Sequence, residues 1–300
     1  MLRPDRHPPG DSCRRGNMMI ECVGEGGGVS TGVRLFLRTI VARAYPRVIG
    51  AGRERSWLFF ETLLPLLAVA AYVFFYRAIG APEEYIGLVV VGGAMTAYWL
   101  NVLWSMSAQL YWDKDAGNLT LYIAAPGSLM AILLGMAVGG LAMTTTRAVA
   151  VIAAGWLLFG IHFSLEYWLL LIVAFVITMA ALYGLGMVFA SLFLLWGREA
   201  WHISNLLQEP IYLVSGFYFP VKALGFWVAS AASLVPLTLG LDAMRQLLFP
   251  ANPTFGFLRV DYEIGILVFL AVVFITASKF ALDYMERRAK QEGRLTERRR

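Results

Sequence analysis

Seven long apolar stretches dominate the sequence and restrict what the chain can fold into. A helix needs about 20 mostly apolar residues to cross the hydrocarbon of a bilayer. The stretches close to or above this length are Trp57–Tyr76, Ile86–Trp112, Ser128–Ile161, Tyr167–Trp196, Trp201–Val221, Ala223–Leu241 and Tyr262–Leu282. Because these runs are continuous rather than alternating, they predict membrane helices and not the strands of a β-barrel.

Composition agrees with a protein that spans a membrane. Hydrophobic residues make up 59% of the chain and charged residues 15%, against about 45–50% and about 25% in a soluble domain. This balance excludes an ordinary cytosolic enzyme and a disordered chain. Two cysteines, Cys13 and Cys22, are too few for a disulfide scaffold. The histidines His7, His162 and His202 lie too far apart to indicate a His-rich metal site. The sequence therefore predicts an all-α polytopic membrane protein.

The distribution of positive charge predicts how the chain crosses the membrane. Of the 25 Lys and Arg residues, 18 lie before Trp57 or from Lys279 onward. The positive-inside rule places both termini in the cytoplasm of a multi-pass protein of the cell membrane. Equal sides require an even number of crossings, so we expect six transmembrane helices. The same end-weighted distribution argues against a nucleic-acid partner.

One of the seven stretches must then fail to cross. We expect Trp201–Val221 to form the fifth crossing and Ala223–Leu241 to re-enter from the outer side without crossing, because Pro220, Gly225 and Pro236 interrupt helices there. Such backbone is tolerated at membrane depth only where protein or a water-filled cavity covers it.

The two ends of the chain differ from the spans. Residues 1–32 are rich in Gly, Pro and charge, which predicts a disordered segment. The next segment, Val33–Tyr45, carries apolar residues at helical spacing with Arg34 and Arg38 on the opposite face, so it predicts an amphipathic helix in the cytoplasmic leaflet that ends near Pro46. Residues 286–300 form a basic cytoplasmic tail.

Few ionisable residues lie inside the apolar stretches, and such residues are functional candidates. We interpret Glu61 as an interfacial residue in the first turn of its span. For Arg147, a cavity-facing role and snorkelling to the surface are both open. Glu209 is the third such residue. Gly135 and Gly139 form a GxxxG motif that permits close packing of another helix.

The loop Trp112–Ser128 differs from a solvated connector, because it carries an apolar segment that includes Leu119 and Tyr122. This pattern predicts a short helix that either docks into a groove of a soluble partner or packs on the membrane surface. No HExxH or Walker A motif occurs in the sequence. We therefore expect a protein that is not an enzyme and binds no nucleotide by a Walker A loop.

The same loop opens a set of motifs with a wider resemblance. Asp115, Gly117, the apolar stretch Leu119–Ala125 and Pro126 follow the second span. Toward the C-terminus come Ser215-Gly216-Phe217-Tyr218-Phe219-Pro220, then Pro236-Leu237-Thr238, then Asp242-Ala243-Met244-Arg245. In order and spacing these motifs resemble the ABC-2 type permease family, the membrane subunits of ATP-driven exporters. The resemblance covers residues 33–285, the expected transmembrane domain.

This resemblance implies an architecture and a set of functional residues. The architecture is an N-terminal interfacial elbow helix, six spans, a cytoplasmic coupling helix and outer re-entrant helices between spans five and six. Coupling to the ATPase would involve Asp113, Asp115, Gly117, Leu119, Tyr122 and Pro126. Arg147 and Glu209 are candidates for the translocation path. The outer re-entrant region would contain Gly216, Pro220, Pro236, Asp242 and Arg245.

The resemblance also implies partners. ATP and Mg would bind a separate ABC ATPase subunit, with no cofactor on this chain, and a second permease copy or a paralogue would complete a dimer in the lipid bilayer. The cargo would be an amphipathic drug, a lipid or a lipid-linked glycan moved out of the cell. The alternative is an ion-coupled secondary transporter, a class that usually shows internal repeats and helices broken at the midplane.

Overall fold

The computed structural model describes residues 28–53, 55–125, 128–196, 200–250 and 256–292. Within these residues the α-helices are α1 Gly28–Arg53, α2 Arg55–Ala78, α3 Glu84–Leu100, α4 Ala108–Asp115, α5 Asn118–Ala124, α6 Leu129–Phe159, α7 Trp168–Trp196, α8 Ala200–Val214, α9 Phe226–Ala232, α10 Pro236–Leu248 and α11 Val260–Glu292. A π-helix, Asn101–Ser107, joins α3 to α4, and a 3₁₀ turn, Val221–Leu224, precedes α9. The described part contains no strand. The predictions for residues 1–27, Pro126 and residues 293–300 lie outside it.

Five helical segments in the described residues are long and apolar enough to cross a membrane. They are Phe59–Ala78, Glu84–Asp115, Leu129–Phe159, Trp168–Leu194 and Val260–Met285, and a sixth results if the bent pair α9–α10 counts as one span. These segments coincide closely with the predicted apolar stretches. The chain is thus an all-helical, multi-pass membrane protein.

The second span, α3 to α4, forms the centre of the bundle and is almost completely buried. Its π-helix widens the backbone and leaves the hydrogen-bond register of an ordinary α-helix. Ser107 compensates, because its hydroxyl donates to the carbonyl oxygens of Val102 at 2.8 Å and Gly186 of α7 at 2.9 Å. Arg47 of α1 donates to the carbonyl of Ser105. The irregular turn is therefore held by two neighbouring helices.

Helix α1 is longer than predicted at both ends. It begins at Gly28, inside the stretch expected to be disordered, and it continues through Pro46 to Arg53. The prediction that it ends near Pro46 is wrong. A proline removes one intrahelical hydrogen bond, but the packing of α1 against α6 holds the helix together. A Cβ on Gly135 would lie 2.7 Å from the carbonyl oxygen of Ile40, and one on Gly139 would lie 3.1 Å from Cα of Ala44. The two glycines of the GxxxG motif therefore allow α1 to pack closely against α6.

The predicted fifth span is helical over only part of its length. Helix α8 has 15 residues, Ala200–Val214, which is shorter than the roughly 20 needed to cross the hydrocarbon as helix. The chain then turns at Gly216, which has φ +66°. The remaining residues of the predicted stretch, up to Pro220, are not helical.

The segment expected to re-enter forms a bent pair of helices, with 109° between α9 and α10. At its start, the ring of Phe226 lies 6.1 Å from the ring of Phe257, shortly before α11. At its end, the carbonyl of Leu248 accepts a hydrogen bond of 3.0 Å from Ser164 N, shortly before α7.

Helices α7 and α11 run side by side, with Ala181 near Ala271 and Gly184 near Ile275. The contacting residues advance in the same order along both helices, so the two helices run in the same direction and begin at the same end of the bundle. Both ends of the bent pair therefore lie at that end.

Candidate functional site

The loop between α4 and α6 contains the predicted short helix. Helix α4 ends at Asp115, and α5 begins at Asn118. Between them Gly117 has φ +85°, a left-handed conformation that residues with a Cβ rarely adopt. Beyond α5, the hydroxyl of Ser128 accepts a hydrogen bond of 3.2 Å from Ala131 N and caps α6. Glycine at position 117 is thus what lets the chain reverse tightly into α5.

Three side chains from α1, α4 and α5 hold this loop against the bundle. Arg43 Nη2 donates to Asp113 Oδ2 at 2.7 Å, and the Tyr122 hydroxyl donates to the same oxygen at 3.2 Å. The guanidinium of Arg43 also lies 5.1 Å from the centre of the Tyr122 ring, within the range of a cation–π contact. Burial is the main cause that raises the pKa of Tyr122, so its hydroxyl remains a neutral donor at neutral pH. We call this contact the loop clasp.

Residues that the sequence analysis grouped together differ in burial around the loop clasp. Asp113 is buried against Arg43, whereas Asp115 is exposed. Leu119 is fully buried, but Leu121 is 67% exposed. The fixed side of α5 therefore faces the protein, and its other side faces away. Pro126 lies outside the described residues.

Arg43 itself was missed by the sequence analysis, which treated the basic residues of this region as a polar face. Arg43 follows Ile40 by three residues and precedes Arg47 by four, so the three lie on one face of α1. This face packs against Gly135 of α6, and the spacing was the sequence signal that could have identified Arg43.

Arg147 forms an ion pair with Glu61, which joins α6 to α2. The side chains keep 16% and 29% of their exposure, respectively. Arg147 therefore has an interhelical partner and does not reach for the surface alone. The interpretation of Glu61 as an interfacial residue missed this pairing. Burying an isolated charge in a bilayer is costly, and the pair reduces that cost for both helices.

Arg245 is fully buried and is surrounded by backbone carbonyls. Its guanidinium donates to the carbonyl oxygens of Gly216 and Phe217 at 2.6 Å each, of Leu88 at 2.8 Å, and of Phe219 at 3.3 Å. Three of these carbonyls belong to the non-helical segment after α8, where no helix supplies their hydrogen bonds. Arg245 of α10 therefore satisfies the backbone that follows the end of α8.

Other residues of the predicted outer region reinforce this contact between α10 and the segment after α8, which we call the Arg245 junction. The hydroxyl of Thr238 donates to that of Ser215 at 3.2 Å. Pro236 is the first residue of α10, where its missing amide costs no hydrogen bond. Pro220 is buried and precedes the 3₁₀ turn. The three C-terminal motifs, which are separate in sequence, thus pack together through Ser215, Thr238 and Arg245.

Asp242 lies on α10 and faces the start of α11. Its carboxylate accepts a hydrogen bond of 2.7 Å from Phe257 N, and Glu263 accepts one of 3.3 Å from Leu258 N. The amide of Gln246 bridges Asp242 and Glu263 at 3.4 and 3.2 Å. Gln246 and Glu263 were not predicted. The acidic residues early in α11 were the only sequence signal for this cluster, and acidic residues at that position equally indicate the start of a helix.

Glu209 lies apart from Arg147, on the exposed side of α8. Its carboxylate accepts a hydrogen bond of 3.2 Å from the amide of Gln208, whose oxygen accepts one of 2.9 Å from the indole of Trp104. The two candidates for the translocation path therefore have different environments, an ion pair for Arg147 and a neutral amide for Glu209.

Comparison with known proteins identifies the family of the chain. The sequence model of the family described as ABC-2 type transporter matches residues 37–249. No curated protein matches the chain. The matched region runs from α1 to the end of α10 and thus contains the loop clasp, the Arg147–Glu61 pair and the Arg245 junction. Because it covers more than half of the 300 residues, the chain belongs to the ABC-2 type transporter family.

Proposed function

We propose that this chain is the membrane permease subunit of an ATP-driven exporter, with ATP bound and hydrolysed by a separate nucleotide-binding subunit. The family consists of membrane transport subunits and not of ATPases. The observation that carries the proposal is the shape of the α4–α6 loop. A helix can transmit force from a partner when one side is anchored and the other is accessible. In α5, Tyr122 and Leu119 anchor one side, while Leu121 and the preceding Asp115 are exposed.

The contacts of α5 suggest where a push from the ATPase would go. Through Asp113 it would reach α4 and the central second span. Through Arg43 it would reach α1, which packs on α6 at Gly135 and Gly139. A displacement of α5 would therefore move two spans together. The π-helix within the second span is a natural place for that span to adjust, because its hydrogen bonds are already irregular.

We further propose six crossings with both termini in the cytoplasm. In this arrangement α8 and the non-helical segment through Pro220 together form the fifth crossing, and α9–α10 re-enters from the outer side. The buried Arg245 supports this proposal, because non-helical backbone at membrane depth needs donors from the protein. A second copy or a paralogue would complete the transporter, and its cargo would be an amphipathic drug, a lipid or a lipid-linked glycan.

Reconstituted vesicles that contain the chain and an ABC ATPase subunit would test the coupling role. Gly117→Pro is incompatible with the positive φ at this position, and Asp115→Arg reverses a charge on the exposed side. We expect both variants to uncouple transport from hydrolysis or to weaken assembly. Asp283→Arg, at another exposed acid, is the matched control. The purified chain alone should hydrolyse no ATP.

The readouts are transport, ATPase rate and capture of the partner subunit in a pull-down. If Gly117→Pro and Asp115→Arg both match the Asp283→Arg control in all three, the loop has no part in coupling.

A further inference from the structure

Helix α8 turns a face with both polar and apolar residues away from the other described helices. His202, Asn205 and Glu209 are exposed, and their spacing puts them on one side of the helix. Leu206 and Leu213 lie on the same side, 70% and 59% exposed. A carboxylate on such a face is costly against lipid tails, and ionisable groups in spans mark substrate paths by default. This face is therefore suited to a water-accessible path.

Glu209 carries a negative charge that the described part of the chain does not neutralise. Its hydrogen-bond partner is the neutral amide of Gln208, which the indole of Trp104 holds in place. No cation of the described residues lies within salt-bridge distance of Glu209. Arg147, by contrast, is paired with Glu61. The charge on this face of α8 that lacks an ionic partner is thus the negative charge of Glu209.

Aromatic rings lie beside this carboxylate. Tyr212 follows Glu209 by three residues and so lies on the adjacent turn. The ring of Tyr212 meets that of Phe217 in a T-shaped contact with centroids 5.2 Å apart, and the ring of Phe217 lies 6.5 Å from that of Tyr218. The Tyr218 ring stacks on Tyr72 of α2, with centroids 4.0 Å apart and planes within 10°. The hydroxyl of Tyr76 fixes this segment by donating to the Tyr218 carbonyl at 2.9 Å.

A carboxylate with aromatic rings nearby has a defined chemical preference. The negative face of an aromatic ring attracts cations, most strongly where water is excluded, and a nearby carboxylate adds charge attraction. Exposed leucines on the same helix face suit an apolar body. We propose that Glu209, Tyr212, Tyr218 and Tyr72 form a binding site for organic cations with a large apolar part. This inference rests on the proposed transport function and narrows its substrate class to cationic amphiphiles.

Binding to the chain alone in lipid nanodiscs would test this site without the ATPase. Tetraphenylphosphonium and tetraphenylborate are suitable probes, because they share size and shape but carry opposite charges. We expect Glu209→Gln to weaken phosphonium binding about tenfold or more and to leave borate binding unchanged or stronger. Glu209→Asp should lose less. Tyr72→Leu should weaken phosphonium binding several-fold, because it removes the stacking partner of Tyr218.

The control is Glu166→Gln, which removes the same charge at an exposed position between α6 and α7. If Glu209→Gln binds phosphonium as tightly as Glu166→Gln does, the site is wrong. The proposal would also be overturned if the chain bound tetraphenylborate more tightly than tetraphenylphosphonium and Glu209→Gln did not change this preference.

The outcomes separate this site from the proposed function. If Glu209→Gln does not weaken phosphonium binding but Asp115→Arg and Gly117→Pro still impair coupling, only the cation site is rejected. An intact binding result without ATP-dependent transport in the reconstituted vesicles rejects the ATP-driven role and leaves the site standing.

Discussion

Replacement of Arg245 by methionine should strongly destabilise the contact between α10 and the segment after α8. Methionine keeps the approximate length of the side chain and removes every donor. The carbonyls of Gly216, Phe217 and Phe219 then lose the group that satisfies them. Since these residues are not in a helix, no backbone amide is positioned to take over. The segment that links α8 to α9–α10 should therefore loosen.

The size of the effect follows from the hydrogen bonds of the guanidinium. A hydrogen bond from a charged donor contributes about 1.5–3 kcal/mol, so the three shortest contacts of Arg245 represent roughly 4–9 kcal/mol. Removal of the buried charge also removes its desolvation penalty of several kcal/mol, which offsets part of the loss. Each buried carbonyl left without a donor costs about 1–3 kcal/mol, and after this offset we expect a net loss of about 3–5 kcal/mol for Arg245→Met.

Thermal unfolding of the purified protein in nanodiscs, followed by tryptophan fluorescence, measures this loss. We expect Arg245→Met to lower Tm by on the order of 10 °C. Arg245→Lys should fall between wild type and Met, because the ammonium keeps the charge but not the planar fork. Arg259→Met is the control, since the side chain of Arg259 is 78% exposed and such pairs contribute at most about 1 kcal/mol. Equal Tm values for Arg245→Met and Arg259→Met would refute the reasoning.

Two further outcomes are expected. Arg147→Ala should reduce transport and stability, by about 1–3 kcal/mol, because it leaves Glu61 without its ion-pair partner. The double variant Glu61→Gln with Arg147→Met should recover stability but not transport, and wild-type transport by Arg147→Ala would exclude a functional role. In intact cells, a cysteine at Glu84 should react with a membrane-impermeant thiol reagent and one at Arg294 should not. External labelling at Arg294 would contradict the six-crossing arrangement.

The spans could be predicted because the thickness of the hydrocarbon imposes their length on the sequence. Tyr167–Trp196 was expected and Trp168–Trp196 is observed, and Ser128–Ile161 corresponds to Leu129–Phe159. The short helix after Gly117 was also predictable, because a glycine before an apolar segment in a loop between two spans is a local signal. Continuation of α1 through Pro46 was not, because its packing against α6 outweighs the local effect of the proline.

The candidate sites were predictable only as residue types and not as arrangements. Asp113 was a candidate, but its partner Arg43 is 70 residues away in sequence. Arg245 was a candidate, but its contact with Leu88 spans 157 residues. Hydropathy and spacing report which helices form, because those follow from neighbours along the chain. Which charges meet depends on how the helices pack.

The sequence by itself determined that this chain is a helical membrane protein and where its long helices lie, since burying apolar side chains and satisfying each backbone amide within its own helix are local requirements in lipid. Only the tertiary structure decided that α8 stops short and that a buried arginine from α10 satisfies the backbone beyond it. The same packing turned Asp113 inward and left Asp115 and Glu209 facing outward. Burial of a polar group depends on partners supplied by other helices, so it cannot be read from the group's own segment.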